Sequence, residues 1–163
     1  MGAANSPVTL APVDSAALWT EARRLVEEYA ASLDFDLAFQ DFDREIQSLE
    51  TEYGPPGGGF VLARSDDEWI GCGGVRRLSG SDCEMKRLYV TPRWRGRGAG
   101  LAIARALVDT ARRLGYQRML LDTAPSMTRA QAIYRSLGFT PVACYRYNPI
   151  DGASYWGLVL HVE

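Results

Sequence analysis

Histidine is almost missing from this chain. Among 163 residues there is one, His161, and it stands in a terminal apolar stretch. A single imidazole nearly excludes a histidine-based triad or metal site. Cysteine is also scarce: Cys72, Cys83 and Cys144, an odd number with no pair at metal-ligand spacing. That pattern predicts buried free thiols in a reducing, cytoplasmic setting, with no metal bound. No run of 18 apolar residues occurs, so no membrane-spanning helix is expected. The net charge is −2 and the isoelectric point about 5.5. Neither suits a nucleic-acid binder. Internal repeats are missing as well. Met1 to Ser6 matches a myristoylation pattern, but the match is short enough to arise by chance, and residues 1–6 are expected to be a disordered start. The remaining 7–163 is long enough to bury one core, with 47% hydrophobic and 23% charged residues.

Positive charge gathers in one place. Lys86 and Arg87 precede Leu88-Tyr89-Val90-Thr91-Pro92, and Arg93, Arg95 and Arg97 then alternate with Gly96, Gly98 and Gly100. The pattern predicts a strand ending near Val90, a basic glycine-rich turn and a helix starting near Ala99. Glycine lets the backbone take left-handed angles and approach a ligand closely. Successive N–H groups in such a turn converge on an anion, and the helix start adds more of them. A pyrophosphate fits this arrangement. The turn is no P-loop, since the Gly-Lys-Ser/Thr ending is missing. It matches G-x-G-x-x-G poorly, although Asp122 lies at the distance a dinucleotide site requires, so a nucleotide or NAD-binding oxidoreductase stays open.

The other elements follow from periodicity and turn chemistry. Val8 to Val13 reads as a strand. A helix capped by Asp14 or Ser15 runs to about Ala31 with Leu18, Ala22, Leu25 and Tyr29 on one face, and a second helix reaches about Leu49. Phe60 to Arg64 and Trp69 to Arg77 form a hairpin, and Cys83 to Thr91 leads to the glycine turn. A helix spans residues 99–114 and is stopped by Gly115. Arg118 to Thr123 is a buried strand, and Thr128 caps a helix that ends at Leu137 before Gly138. Phe139 to Tyr147 and Ser154 to Val162 are expected to close the sheet as an antiparallel pair. The order describes a mixed α+β domain.

Arg95-Gly96-Arg97-Gly98-Ala99-Gly100 resembles the Q/R-x-x-G-x-G/A signature of the GCN5-related N-acetyltransferase (GNAT) superfamily. Ala130-Gln131-Ala132-Ile133-Tyr134-Arg135-Ser136-Leu137-Gly138-Phe139 is similar to its later A-x-x-x-Y-x-x-x-G-F helix. The likeness covers nearly the whole chain, roughly residues 7 to 162. It implies a single-domain α+β fold whose central, mostly antiparallel twisted sheet has about six to seven strands, with about four helices. It implies direct acetyl transfer from acetyl-CoA, as co-substrate, to a primary amine of a small molecule, amino acid or peptide. Cofactor contacts would fall on Leu88, Tyr89, Val90, Arg95, Gly96, Arg97, Gly98, Ala99, Gly100 and Tyr134. Leu88 and Val90 would pair with pantetheine like an added strand, and the Val90 N–H would hold the oxyanion. Tyr134 would be the general acid toward the leaving sulfur. Dimers are common in this family, which points to a homodimer.

The candidate base is Glu84. Residues 84, 86, 88 and 90 of an extended strand share a face, which puts Glu84 about 20 Å from Val90 at ~3.3 Å per residue. Relatives carry a base glutamate at this offset, commonly acting through water. The simpler alternative is an ion pair of Glu84 with Lys86 or Arg76. Many relatives have Asn seven residues before the tyrosine; here it is Met127, which is expected to pack. The acceptor end would be walled by Tyr29, Phe35, Asp36, Phe39, Tyr145, Tyr147 and Tyr155, which suits an amine without choosing one. A catalytically idle acyl-CoA-binding or protein-interaction module of the same fold is the alternative.

Overall fold

The computed structural model describes residues 6–160. The expectations for Met1 to Asn5, and for His161 and Val162, lie outside the described residues. Seven strands form one sheet in the order β1-β2-β3-β4-β5-β7-β6. They are β1 (Val8–Pro12), β2 (Gly59–Ser65), β3 (Glu68–Ser79), β4 (Asp82–Val90), β5 (Arg118–Thr123), β6 (Thr140–Pro141) and β7 (Ser154–Val159). All neighbours are antiparallel except β4 and β5. Five α-helices accompany them: α1 (Ala16–Ser32), α2 (Phe42–Gln47), α3 (Leu49–Tyr53), α4 (Ala99–Arg113) and α5 (Thr128–Ser136). This is the single-domain α+β architecture that the element order implied.

Each face of the sheet carries its own core. Ile103, Ala104, Leu107 and Ala111 of α4 bury one face against Val61, Ile70, Val75 and Met85. Ala22, Leu25, Val26 and Tyr29 of α1 bury the other against Leu62, Cys72 and Tyr89. Ser15 caps α1, accepting from the Leu18 N–H at 3.3 Å. Gly115, at φ +85°, ends α4 as its position after the helix requires.

Two elements depart from the sequence reading. The expected second helix is broken into a 3-10 turn (Leu37–Gln40), α2 and α3. Asp41 sits at φ +58° between the first two, and Ser48 interrupts the others at φ −141°. The expected strand Phe139 to Tyr147 shrinks to Thr140–Pro141 of β6. Residues 142–153 are otherwise irregular, because Asn148, Pro149 and Gly152 favour turns and Asn148 Oδ1 accepts from the Ile150 N–H at 3.0 Å.

Candidate active site

A bulge in β4 organises the site. Arg87 takes φ +62°, a left-handed angle unusual for a residue with a Cβ. The pairing of β3 with β4 slips there, between Cys72↔Tyr89 and Gly74↔Lys86. The side-chain alternation therefore reverses. Before the bulge Cys83 and Met85 enter the α4-side core; after it Leu88 and Val90 do, while Tyr89 joins the α1-side core. The expectation that residues 84, 86, 88 and 90 share a face is overturned by this extra residue. The strain is held in place from two sides. The Cys72 thiol donates to the Arg87 carbonyl at 3.4 Å, and Arg87 Nε and Nη2 donate to Glu45 at 2.7 and 3.0 Å. Burial opposes the Glu45 carboxylate, yet the adjoining Arg87 guanidinium holds its pKa below the ordinary value.

The bulge also parts β4 from β5. The two strands pair only at Asp82↔Arg118, Cys83↔Met119 and Glu84↔Leu120. Beyond Glu84 they diverge, and a cleft of about 770 Å³ lies where they separate. Leu88, Tyr89, Val90, Arg95, Gly96, Gly98 and Gly100 line it, as the sequence implied. Gly96 (φ +76°) and Gly98 (φ +89°) have open space where a side chain would stand, so backbone angle selects glycine at both. Gly98 is the N-cap of α4, which leaves the first N–H groups of that helix at the cleft without intrahelical partners. Gly100 is glycine for another reason: a Cβ would lie 2.9 Å from Ile133 Cδ1, across the α4–α5 contact.

The arginines divide their labour. Arg95 lines the cleft, with Nε donating to the Val90 carbonyl at 2.9 Å and its guanidinium 5.7 Å from the Tyr89 ring. Arg97 lies over Trp94 at 5.0 Å and does not line the cleft. Ala99 has its side chain in the core, at 1% exposure, so only its backbone could serve a ligand. The sequence reading missed the opposite wall, made by Ser126, Thr128, Arg129 and Ala130 at the start of α5 and by Ser32 to Asp34 after α1. Thr128, expected as the cap of this helix, is instead its first residue; Met127 is the N-cap and makes no side-chain capping bond. Met127 lines the cleft and also packs in the α1-side core, in line with its expected packing role.

Tyr134 is 6% exposed and stands 5.8 Å from Phe139, ring to ring. It lines a small chamber of about 30 Å³ between β4 and β5, next to the cleft. Burial pushes its hydroxyl pKa well up, which keeps it protonated as a donor. Tyr29 borders both spaces.

Glu84 is sequestered. Its carboxylate is fully buried and accepts from Arg76 at 3.2 Å, Arg146 at 3.1 Å and the Tyr145 hydroxyl at 2.6 Å. The ion pair with Arg76, which the sequence offered as the alternative, is present; one with Lys86 is not among the described contacts. Lys86 instead donates to Gln40 Oε1 at 3.0 Å and faces Asp122 at 3.7 Å.

The aromatic acceptor candidates are not brought together. Tyr145 and Tyr155 form a T-shaped pair at 5.6 Å, with the Tyr155 hydroxyl donating to the Arg146 carbonyl. Phe35 and Phe39 pack against the α1-side core, and Tyr147 is 77% exposed. Asp36 caps the 3-10 turn through the Ala38 N–H at 2.8 Å. Cys144 is exposed, contrary to the expectation of three buried thiols. Among the described residues no cluster of three or more His, Cys, Asp or Glu could hold a metal, and no helix is long and apolar enough to cross a membrane.

Two strands that diverge over a cleft, with a glycine turn and a helix start at its end, suit a phosphorylated ligand. Residues 19–139 match the family model described as acetyltransferase (GNAT) family. An uncharacterized N-acetyltransferase of Schizosaccharomyces pombe is 37% identical over 138 residues, 83% of this chain and 85% of its own. A GNAT-family acetyltransferase from Staphylococcus aureus superposes with a TM-score of 0.76, at 17% identity, over 95% of this chain and all of its own. The yncA protein of Salmonella typhimurium, solved with its cofactor acetyl-CoA, superposes at 0.69 and 19% identity, over 97% of this chain and 96% of its own. The chain belongs to the GNAT acetyltransferase family, and it is an N-acetyltransferase.

Proposed function

We propose that this enzyme transfers the acetyl group of acetyl-CoA directly to a primary amine of a small molecule, amino acid or peptide, in the cytoplasm. The observation that carries the reading is the divergence of β4 from β5 beyond Glu84, with the glycine turn and the start of α4 at one end of the gap. The residues present fit the cofactor: two positive-φ glycines open onto the cleft, and Arg95 and Arg129 supply cations beside them. Acetyl-CoA supplies the activated acetyl group when bound. The β4 edge at Leu88 and Val90, where Arg95 Nε holds the Val90 carbonyl, would orient the pantetheine arm, and the Tyr134 hydroxyl would give the proton that the departing sulfur needs.

Parallel thermal-shift titrations with acetyl-CoA, CoA and NAD test the donor. At 100 times the dissociation constant, a ligand stabilises by about 2.7 kcal/mol, which raises Tm by roughly 5–11 °C for a chain of this size. Both CoA species are expected to stabilise and NAD to do nothing; the reverse would sink the reading. Thiol release over an amine panel then tests transfer. Tyr134→Phe should lower kcat about 100-fold or more with acetyl-CoA affinity unchanged, and equal turnover would remove Tyr134 from the acid role. The capture of Glu84 by three donors favours a second reading, an idle acyl-CoA-binding or protein-interaction module. CoA binding with no turnover on any amine would select it.

A further inference from the structure

Every cationic side chain of this protein is arginine except one. Lys86 is the sole lysine in the chain, among 18 Lys and Arg residues. It is also among the most buried cations, with its side chain 4% exposed. It stands immediately before the Arg87 bulge, where β4 leaves β5. An arginine there would stay charged at any pH near neutrality, whereas a lysine can lose its proton.

The chamber between the two strands surrounds it. Lys86 and Arg87 line it from β4, Asp122 and Thr123 from β5, Tyr29 from α1 and Tyr134 from α5. At about 30 Å³ it has room for one water. A second observation points to such a water: Thr123 Oγ1 is buried in the chamber wall without a hydrogen-bond partner. Tyr29, Leu88 and Met127 border both the chamber and the cleft, so the two spaces adjoin.

We propose that Lys86, through one water held in this chamber, takes the proton that the acceptor amine must lose before it attacks. The proposal rests on the acyl-transfer reading above. The proton balance closes. The acceptor ammonium loses one proton to the neutral Lys86 amine. As its N–C bond forms and the C–S bond breaks, it loses a second, and one proton passes from the Tyr134 hydroxyl to sulfur while the second replaces it. Lys86 then returns its proton to solvent. Two protons leave nitrogen; one ends on sulfur and one in solvent.

The electrostatic setting agrees. Burial draws the Lys86 pKa down to about 8, Glu84 and Asp122 push it up, and Arg87 and Arg76 push it down. Tyr29 and Tyr134, the other titratable groups of the chamber, are driven upward by burial and stay neutral in this range. Glu45 is neutralised by Arg87 and Arg76. Glu84, the carboxylate first considered, is closed off by three donors.

The test is a pH–rate profile of the full chain, beside Lys86→Gln and Lys86→Arg, on whichever amine the wild type turns over. A limb near pH 8 is expected in the wild type and should vanish in K86Q, with kcat down about 100-fold and acetyl-CoA affinity unchanged. K86R, which keeps a permanent cation opposite Asp122, should leave the rate as low as K86Q does. A K86Q profile that keeps the limb, or a K86R enzyme as fast as wild type, would overturn the proposal. Wild-type inactivity on every amine would remove the acyl-transfer reading itself, and this proposal with it. Should K86Q not fold, 15N-lysine NMR gives a single Nζ signal in the wild type. Titration near pH 8 supports the assignment, and a value near 10.5 refutes it.

Discussion

At the scale of single residues, Glu84 is the carboxylate that the fold has enclosed most fully. Glu84 holds Arg76 from β3 and both Tyr145 and Arg146 from the irregular segment before β7. Replacing it by Gln removes the buried counter-charge that the half-buried Arg76 and Arg146 share, although Arg76 keeps Glu45 and Glu52. The expected cost is about 3–5 kcal/mol, or roughly 6–20 °C in Tm, measured by thermal denaturation. A shift under 2 °C would mean that the network contributes little. Sequence reasoning named the residue and both its possible roles. It could not decide between them, because the decisive partners, Tyr145 and Arg146, lie 61 and 62 positions away in a segment expected to be plain strand.

At the scale of elements, what the sequence made legible was local periodicity. The hairpin, β4, α4, β5 and α5 fall within one or two residues of their expected bounds, because each couples an apolar repeat to a glycine or polar stop. The bulge was not legible. Nothing about Lys86-Arg87-Leu88 marks a left-handed residue, and the angle is held by Glu45 and Cys72 from other elements. The cleft wall on the α4 side was read from its glycines, whereas the α5 wall, with no such mark, was not. Two glycines allow a test of packing between elements. A Cβ at Gly71 would stand 2.7 Å from the Tyr89 carbonyl oxygen, which is backbone of the neighbouring strand; one at Gly100 crowds the tip of Ile133 at 2.9 Å and merely touches Val90 at 3.6 Å. Gly71→Ala should cost about 1–3 kcal/mol in chemical denaturation, and Gly100→Ala clearly less. The opposite ranking would contradict the β3–β4 spacing described above.

At the scale of the whole molecule, the buried lysine couples global stability to pH. Its pKa in the fold, about 8, is below the ordinary 10.5, so the unfolded chain binds the proton more tightly. The resulting penalty is present in full below pH 8 and is relieved as pH rises toward 10.5. Compared with Lys86→Met, the wild type should gain roughly 3 kcal/mol of unfolding free energy across that window. Parallel slopes for the two proteins in urea denaturation would place the Lys86 pKa at its ordinary value.

The same residue has a consequence for the outer surface. With its one lysine enclosed at 4% exposure, the protein presents guanidinium groups as its only side-chain cations from Lys or Arg among the described residues. Guanidinium stays protonated and is a poor nucleophile, whereas an exposed amine is slowly acylated by activated thioesters without any catalyst. If acetyl-CoA gathers at the cleft as proposed, the protein therefore offers that reagent no exposed lysine to label. In a chemically acetylated sample, its lysine modification should trail that of lysine-rich proteins handled alongside it.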